Sequence, residues 1–153
     1  MHLFFNLGCD GMDETNKLNL LTDAEGHSLS PVLEPGIKNY LIDIDGTICD
    51  DVPNEDPERM KIVLPYVDAQ QYINRWYNEG HRIYFFTSRT ESLRKITEEW
   101  LNKHDFLYHG IVMGKPRGGN YHWIDNHVVA STLFKGKFTP FKKEMIECDV
   151  FED

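Results

Sequence analysis

Asp43 and Asp45 are separated by one residue and follow a short apolar run at positions 40–42. On an extended segment, side chains two residues apart lean to the same side of the backbone, so these two carboxylates can share one pocket. Gly46 allows the chain to turn sharply directly after them. One carboxylate can attack phosphorus as a nucleophile, while the other protonates the leaving oxygen and then deprotonates a water molecule. The pair therefore predicts covalent phosphoryl chemistry in two steps.

Several carboxylates in one pocket repel one another and also repel a phosphate, and a hard divalent cation removes that repulsion. Mg²⁺ prefers oxygen ligands. We therefore predict Mg²⁺ as the cofactor, held by the Asp43 and Asp125 carboxylates and by the backbone carbonyl of Asp45. The further polar residues that follow apolar segments and could complete the pocket are Thr87, Ser88, Lys115 and Asp125.

The cation and the two hydroxyl groups of this set suit a phosphate. Lys115 would place a positive charge between nucleophile and phosphate, so it is predicted to be catalytic and to bind phosphate. The hydroxyls of Thr87 and Ser88 would bind phosphoryl oxygens. Phosphoryl transfer depends mainly on positioning and charge neutralisation, and these residues supply both.

Short apolar strands that alternate with helical patterns must position these residues. The spacing predicts helices over 66–79, with Gly80 as C-cap, and over 90–101. This alternation indicates βαβ units, and hence a three-layer α/β fold with a Rossmann-like parallel sheet and helices on both faces. Ligands bind at the carboxyl ends of such strands, where the polar residues are predicted to meet. The predicted strands cover 40–44, 82–86, 110–113, 121–124 and 147–151.

The chain divides into an N-terminal arm, residues 1–36, and a catalytic domain, residues 37–153. The arm ends in the run SPVLEPG, which is turn chemistry. Within the arm, the leucines at 18–21 indicate a short strand or turn. In the catalytic domain, residues 49–59 are polar with two prolines, which predicts a loop.

The composition limits the partners and the compartment. The 153 residues carry a formal net charge of −9, which disfavours nucleic acid and membrane surfaces as partners. Cys9, Cys49 and Cys148 show neither a disulfide framework nor a CxxC zinc site, which favours a reducing compartment. Neither a signal-peptide pattern nor an apolar run of about 20 residues is visible, so the expected location is cytoplasmic. The expected partner is a small phosphorylated substrate.

Four short motifs resemble those of the haloacid dehalogenase-like (HAD) superfamily. They are DIDGT at 43–47, FFTSR at 85–89, GKP at 114–116 and WIDN at 123–126, and the resemblance covers roughly residues 38–150.

This resemblance implies a role for each matched residue. Asp43 is the implied nucleophile, Asp45 the acid/base, and Asp125 the metal ligand, while Thr87 and Lys115 are implied to bind phosphate. Members with an acid two residues after the nucleophile are typically phosphatases or phosphotransferases. The resemblance therefore implies a Mg²⁺-dependent phosphoric monoester hydrolase that works through an aspartyl phosphate.

Two features of the chain refine this expectation. Asn126 stands where many members have a second acid, for which we expect weaker metal binding. The gaps from Asp45 to Thr87 and from Thr87 to Lys115 leave no room for a cap domain, so a capless HAD core with an open site is expected. Candidate lids are the loop 49–59, the N-terminal arm or a second copy in a homo-oligomer. Similarity to small capless HAD proteins linked with bacterial polysaccharide and sugar-phosphate synthesis makes a phosphorylated sugar the expected substrate.

Two other functions are alternatives. A polynucleotide end phosphatase is one, because some of those domains are capless HAD folds, although the charge and the lack of a basic, aromatic-rich groove count against it. A non-catalytic HAD-fold binding or regulatory module is the other. Asn126 leaves room for that alternative, whereas the intact set of acids, Thr87 and Lys115 counts against it.

Overall fold

The computed structural model describes residues 18–142 and 148–151, and within these residues the strands form two sheets. One sheet is an antiparallel hairpin and the other is a parallel sheet in which the second of its three strands lies in the middle. The hairpin contains β1 (Leu18–Thr22) and β2 (Ser28–Leu33), and the parallel sheet contains β3 (Asn39–Ile42), β4 (Arg82–Phe86) and β5 (Gly110–Val112).

The parallel sheet confirms the predicted α/β class. Ile42 at the end of β3 lies opposite Phe85, and Phe85 lies opposite Ile111 of β5. All three strands therefore end at the same edge of the sheet. The predicted strands at 40–44, 82–86 and 110–113 are confirmed to within two residues at each end.

The hairpin lies within the predicted N-terminal arm and confirms the strand expected at 18–21, but this strand pairs with β2 in a separate sheet and does not extend the parallel sheet of the main body. The Asp23 carboxylate organises its turn by accepting hydrogen bonds from the backbone N–H groups of Glu25 (3.0 Å) and His27 (2.8 Å). Such bonds are the usual reason for an aspartate at the start of a turn. Residues 1–17 of the arm lie outside the described residues.

The helical segments are α1 (Pro57–Ile62), α2 (Ala69–Asn78), a 3₁₀ turn (Glu91–Leu93) and α3 (Arg94–Lys103). In the described part of the chain, no helix has the length and apolar character needed to cross a bilayer.

Helix α1 corrects the prediction that residues 49–59 are loop throughout. Pro57 occupies the first turn, where its missing N–H costs nothing, and the Asp56 side chain caps the helix by accepting from the Arg59 N–H at 3.2 Å. Met60 is fully buried and packs with Val52 and Leu93. Local polarity suggested a loop, but capping and this single apolar anchor favour a helix.

Helix α2 ends at Asn78, and Gly80 forms the C-terminal cap that the sequence predicted. The Gly80 N–H donates to the Tyr77 carbonyl (3.1 Å) and the His81 N–H donates to the Trp76 carbonyl (3.0 Å), which is the Schellman arrangement. Gly80 has φ +95°, a conformation that costs a residue with a Cβ. The motif returns the chain directly into β4.

The core lies between the parallel sheet and helices α2 and α3. Ile83 and Phe85 are fully buried along β4, while Arg82, Tyr84 and Phe86 are half-buried, as the alternation of side chains in a strand requires. Trp100 of α3 stacks on Phe106 at 5.7 Å between ring centroids, and its Nε1 donates to the Val63 carbonyl at 2.7 Å. This packing fixes α3 relative to the carboxyl edge of the sheet.

The predicted strands at 121–124 and 147–151 are wrong where the structure describes them. Residues 121–124 pair with no strand, and neither do the described residues 148–151; residue 147 lies outside the described residues. Gly118, Gly119 and Asn120 have φ values of +108°, +72° and +56°. Three successive left-handed residues turn the chain away from an extended path directly before the apolar run.

Candidate active site

Asp43 directly follows β3 at the carboxyl edge of the sheet. Its Oδ1 accepts a hydrogen bond from Lys115 Nζ at 2.7 Å, and its Oδ2 accepts one from the Thr47 hydroxyl at 3.1 Å. The side chain keeps 36% of its surface exposed, whereas that of Lys115 is 9% exposed. The carboxylate is thus oriented by two neighbours and still accessible from solvent.

A tight turn over residues 44–48 brings Thr47 back to Asp43. The N–H groups of Thr47 (3.0 Å) and Ile48 (2.9 Å) both donate to the Ile44 carbonyl. Gly46 adopts φ +80°, and its N–H donates to the Cys49 carbonyl at 2.9 Å. The turn needs a left-handed residue at this point, which explains the glycine in the motif.

Asp45 faces a different cation, Arg89. Arg89 Nε donates to Asp45 Oδ2 at 2.9 Å and Nη2 donates to Oδ1 at 2.8 Å, which is a bidentate pair. Arg89 is fully buried and the Asp45 side chain is 14% exposed. Arg89 is the last residue of the FFTSR motif, and its place there did not indicate this pairing, which sequence reasoning missed.

Thr87 at the end of β4 is fully buried and links the motifs through its backbone. Its N–H donates to the Val112 carbonyl (3.0 Å), and its carbonyl accepts from the Lys115 N–H (2.9 Å). Its hydroxyl oxygen accepts from the Arg89 N–H at 3.1 Å. Accepting this bond leaves the O–H group able to donate, as the predicted contact with a phosphate oxygen requires.

Ser88 connects the loop after the first motif with the segment around Lys115. Its hydroxyl donates to the Pro116 carbonyl at 3.4 Å, and its own carbonyl accepts from Asn54 Nδ2 at 3.1 Å. The structure therefore places Ser88 beside the candidate lid. Its predicted phosphate contact stays a prediction.

Aromatic rings surround the Lys115 ammonium. Nζ lies 5.4 Å from the Phe86 ring centroid and 5.3 Å from that of Tyr121, which is cation–π distance. Two ring faces and the Asp43 carboxylate therefore favour one position of the ammonium. Because an ammonium has three donors, the bond to Asp43 leaves two for a ligand.

Asp125 lies in an exposed loop instead of at a strand end. Its Oδ1 accepts from the His127 N–H at 2.9 Å and its Oδ2 accepts from Trp123 Nε1 at 3.1 Å. These bonds hold the pKa of Asp125 below its ordinary value, and the bond from the His127 N–H has the largest effect. The Trp123 ring packs edge-on against Phe86 at 6.5 Å between centroids, and Phe86 also lies beside Lys115. Asp125 is thus linked to Lys115 through two aromatic side chains.

The predicted site residues therefore fall into two groups. The turn and the strand ends bring together Asp43, Asp45, Thr87 and Lys115, with Ser88 beside them. No hydrogen bond or ion pair joins Asp125 to Asp43 or Asp45 among the described side chains. The role of Asp125 as a metal ligand stays a prediction.

Asp23, Glu25 and His27, in the hairpin turn, could hold a metal ion, since each offers a ligand atom and these atoms lie within 4.8 Å of one another. Sequence reasoning missed this group. Its sequence signal is the spacing of an acid, an acid and a histidine at alternate positions of a turn. The turn's own hydrogen bonds to Asp23 already account for the closeness.

Arg117, two residues after Lys115, pairs with Glu55. Its Nη1 and Nη2 donate to the Glu55 carboxylate at 2.9 and 3.2 Å. These bonds lower the pKa of Glu55 and raise that of Arg117. Both side chains are exposed, so the pair closes the loop after the first motif only weakly onto the segment after Lys115.

Two solved structures are among those that resemble part of this chain. A crystal structure of an MCSG target from Vibrio cholerae has 26% sequence identity and a TM-score of 0.45, covering 58% of this chain and 80% of that one. A chain of the Pnkp1/Rnl/Hen1 complex has 18% identity and a TM-score of 0.47, covering 59% of this chain and 32%, about a third, of that one. No protein-family model and no curated protein matches the chain.

Proposed function

We propose that the chain is a Mg²⁺-dependent phosphatase that hydrolyses a phosphomonoester through an aspartyl phosphate on Asp43. The observation that carries this proposal is the contact of 2.7 Å between Lys115 Nζ and Asp43 Oδ1. It sets a cation beside a partly exposed carboxylate at the edge of a parallel sheet, where ligands bind. A carboxylate needs such a cation before it can approach an anionic phosphate.

The proposed reaction has two displacements. An Asp43 oxygen attacks phosphorus, the bond from phosphorus to the leaving oxygen breaks, and Asp45, which enters this step protonated, donates its proton to that oxygen. Asp45 then removes a proton from a water molecule, which attacks phosphorus and breaks its bond to Asp43. Inorganic phosphate leaves, and both carboxylates return to their starting states.

The charges of the site support a divalent cation. Asp43 faces Lys115 and Asp45 faces Arg89, so these four groups carry one net positive charge when Asp45 holds the proton that it donates. An arriving phosphate dianion adds two negative charges, of which this set neutralises only one. The Asp43 and Asp125 carboxylates and the Asp45 carbonyl are oxygen donors of the kind Mg²⁺ prefers, and we propose them as ligands. When bound, Mg²⁺ would neutralise phosphate charge and orient the phosphoryl group.

The finer statements about fold and substrate rest on the resemblance to the HAD superfamily. We propose a capless, three-layer HAD core with helices on both faces of the sheet, and a phosphorylated sugar as the substrate. We expect no nucleic acid or membrane partner, and a cytoplasmic location. The short connection after the first motif supports an open site. It consists of residues 49–56 and α1, and Asn54 Nδ2 donates from this connection to the Ser88 carbonyl at 3.1 Å.

Phosphate release from p-nitrophenyl phosphate and from a panel of phosphorylated sugars tests this function. We expect activity that requires Mg²⁺, is abolished by EDTA and is lost in Asp43→Asn. Asp149→Asn, an exposed aspartate outside the site, is the matched control and should retain wild-type activity. Acid quenching during turnover should trap some phosphate on the protein, less than one per chain, in the wild type and none in Asp43→Asn.

Two results would contradict the proposal. Absence of phosphate release from every ester in the presence of Mg²⁺ would remove the enzyme and favour a non-catalytic module. Faster release from an oligonucleotide carrying a terminal phosphate than from any sugar phosphate would replace the substrate class and favour a polynucleotide end phosphatase.

A further inference from the structure

Arg89 is a fully buried cation whose side chain is committed to two protein partners. Nε and Nη2 grip both oxygens of Asp45 at 2.9 and 2.8 Å, and Nη1 donates to the Thr97 hydroxyl at 3.0 Å. Thr97 is itself fully buried. A guanidinium held at all three nitrogens has one orientation, so the plane of the Asp45 carboxylate is set as well.

The anchor of Arg89 reaches three parts of the fold. The Thr97 hydroxyl donates to the Leu93 carbonyl at 2.8 Å, so the acceptor for Nη1 is fixed within α3. The Arg89 N–H donates to the Thr87 hydroxyl at 3.1 Å, and the Arg89 carbonyl accepts from the Gly114 N–H at 2.8 Å. The segments after β4 and β5 therefore hold the Arg89 backbone, and helix α3 holds the guanidinium through Thr97.

This frame acts on the carboxylate to which the proposed reaction assigns proton transfer. Each carboxylate oxygen has two lone-pair sites, so accepting one bond from Arg89 leaves one site per oxygen for a proton. The direction of that site follows from the carboxylate plane. A proton-transfer group must lie within hydrogen-bond reach of the atom it serves, and small displacements reduce its contribution.

We propose that Arg89 is the positioning residue for Asp45, fixing this carboxylate to protonate the leaving oxygen and then to deprotonate the attacking water. The inference rests on the proposed function and deepens it. We assign Arg89 no contact with the phosphate, because its side chain is fully buried behind Asp45 and Thr97. A purely structural ion pair would stabilise the fold without any effect that depends on the leaving group.

The dependence on the leaving group separates these two roles. An alkyl phosphate releases an alkoxide, which is a poor leaving group and needs a proton from Asp45. By contrast, p-nitrophenyl phosphate releases a stable phenolate, which needs little help. The second displacement needs Asp45 for either substrate. Loss of positioning should therefore reduce alkyl phosphate turnover most and should let the aspartyl phosphate accumulate with p-nitrophenyl phosphate.

The experiment compares wild type, Asp45→Asn, Arg89→Lys and Arg94→Lys on an alkyl phosphate and on p-nitrophenyl phosphate, with Mg²⁺. Arg94→Lys is the matched control, because Arg94 also forms a bidentate pair, with Glu91 at 2.8 and 2.8 Å, but on the surface of α3. A general acid contributes about 10²–10⁴ in rate, so Asp45→Asn should lose activity on the alkyl ester by roughly that factor. Arg89→Lys should follow it within about tenfold, and Arg94→Lys should match the wild type.

The burst phase gives a second readout. With p-nitrophenyl phosphate, Arg89→Lys should release one equivalent of p-nitrophenol per chain rapidly and then turn over slowly, with the phosphate trapped on the protein. If Arg89→Lys does not fold, Thr97→Val keeps the arginine and removes the Nη1 acceptor. It should show the same selective loss on the alkyl ester at about two- to fivefold.

Failure of this inference differs from failure of the proposed function. Equal losses on both substrates without a burst in Arg89→Lys, while Asp45→Asn shows the selective loss, would overturn the positioning role alone. No phosphate release by the wild type, or no selective loss in Asp45→Asn, would overturn the function and the inference together.

Discussion

Thr97→Val removes one hydroxyl at the base of the candidate site and leaves a side chain of nearly the same shape. In the structure this hydroxyl is the acceptor for Arg89 Nη1 at 3.0 Å, and both residues are fully buried. The substitution therefore leaves a charged, buried N–H without its partner. It also tests, without touching the acids, whether Arg89 is held as described.

The magnitude follows from the kind of bond lost. A hydrogen bond to a charged group contributes about 1.5–3 kcal/mol, and a buried donor without a partner costs about 1–3 kcal/mol. We expect Thr97→Val to lower the free energy of unfolding by about 2–3 kcal/mol, which for a chain near this size lowers Tm by roughly 5–10 °C. The bond from Thr97 to the Leu93 carbonyl adds little, because that carbonyl is within reach of the helix ladder.

Urea and thermal unfolding of the purified chain measure the change. Thr97→Ser keeps the hydroxyl and loses one buried methyl, so it should cost about 1 kcal/mol. Thr132→Val, at an exposed position, should change stability by less than about 0.5 kcal/mol. The reasoning is refuted if Thr97→Val is no more destabilising than Thr97→Ser, since the bond to Arg89 would then contribute nothing.

Three further predictions concern the turn, the cation and the buried thiol. Gly46→Ala should cost about 1–2 kcal/mol in urea unfolding, because φ +80° is a left-handed conformation that a Cβ disfavours; an unchanged stability would contradict the assigned turn. Lys115→Met should lower kcat for p-nitrophenyl phosphate by about 10²–10³, as for loss of one preorganised charge donor. It should change stability by less than about 1 kcal/mol, because the pair is partly exposed, and activity within tenfold of wild type would contradict the role of Lys115. Burial raises the pKa of Cys49 to about 12. The unfolded thiol loses its proton near pH 9 while the folded thiol keeps it, so stability is constant below about pH 9 and falls above it by up to about 1.4 kcal/mol per pH unit. Cys49→Ala should lack this part of the decline, and equal slopes in urea unfolding between pH 9 and 11 would contradict it.

The meeting of Asp43 and Lys115 could be predicted from the sequence although 72 residues separate them. Apolar runs identified the strands, and the parallel arrangement required their carboxyl ends to share one edge. The prediction needed no knowledge of side-chain packing, because the backbone alone places both residues at that edge. The same logic placed Thr87, whose carbonyl binds the Lys115 N–H at 2.9 Å.

The partner of Arg89 could not be predicted in this way. An arginine at a strand end can extend toward a ligand, toward solvent or back into the fold, and the backbone permits all three. The choice here depends on Thr97, a hydroxyl on a separate helix whose position is set by the packing of Trp100 and Leu101. Such a choice belongs to tertiary packing, which local pattern does not encode.

Residues 121–124 show the opposite failure, in which local pattern was followed too far. The run YHWI has strand composition, but composition does not decide whether a segment reaches the edge of a sheet and pairs there. The left-handed residues at 118–120 turn the chain first, and Tyr121 and Ile124 remain 56% and 69% exposed. Composition alone therefore predicted a strand where the described chain forms no pairing.

The two carboxylates of the first motif illustrate how one edge can prepare two different tasks. Lys115 holds Asp43 through one bond from a point charge, which does not fix the carboxylate plane, and 36% of the Asp43 side chain stays exposed for attack on phosphorus. Arg89 holds Asp45 through two bonds from a buried, immobile fork, which suits a group that must return to the same place after each proton transfer. The difference follows from the chemistry of the cations, since an ammonium on a flexible stem tolerates displacement and a planar guanidinium fixes direction. Exchanging the two, with arginine at 115 and lysine at 89, should therefore leave the net charge unchanged and still abolish turnover.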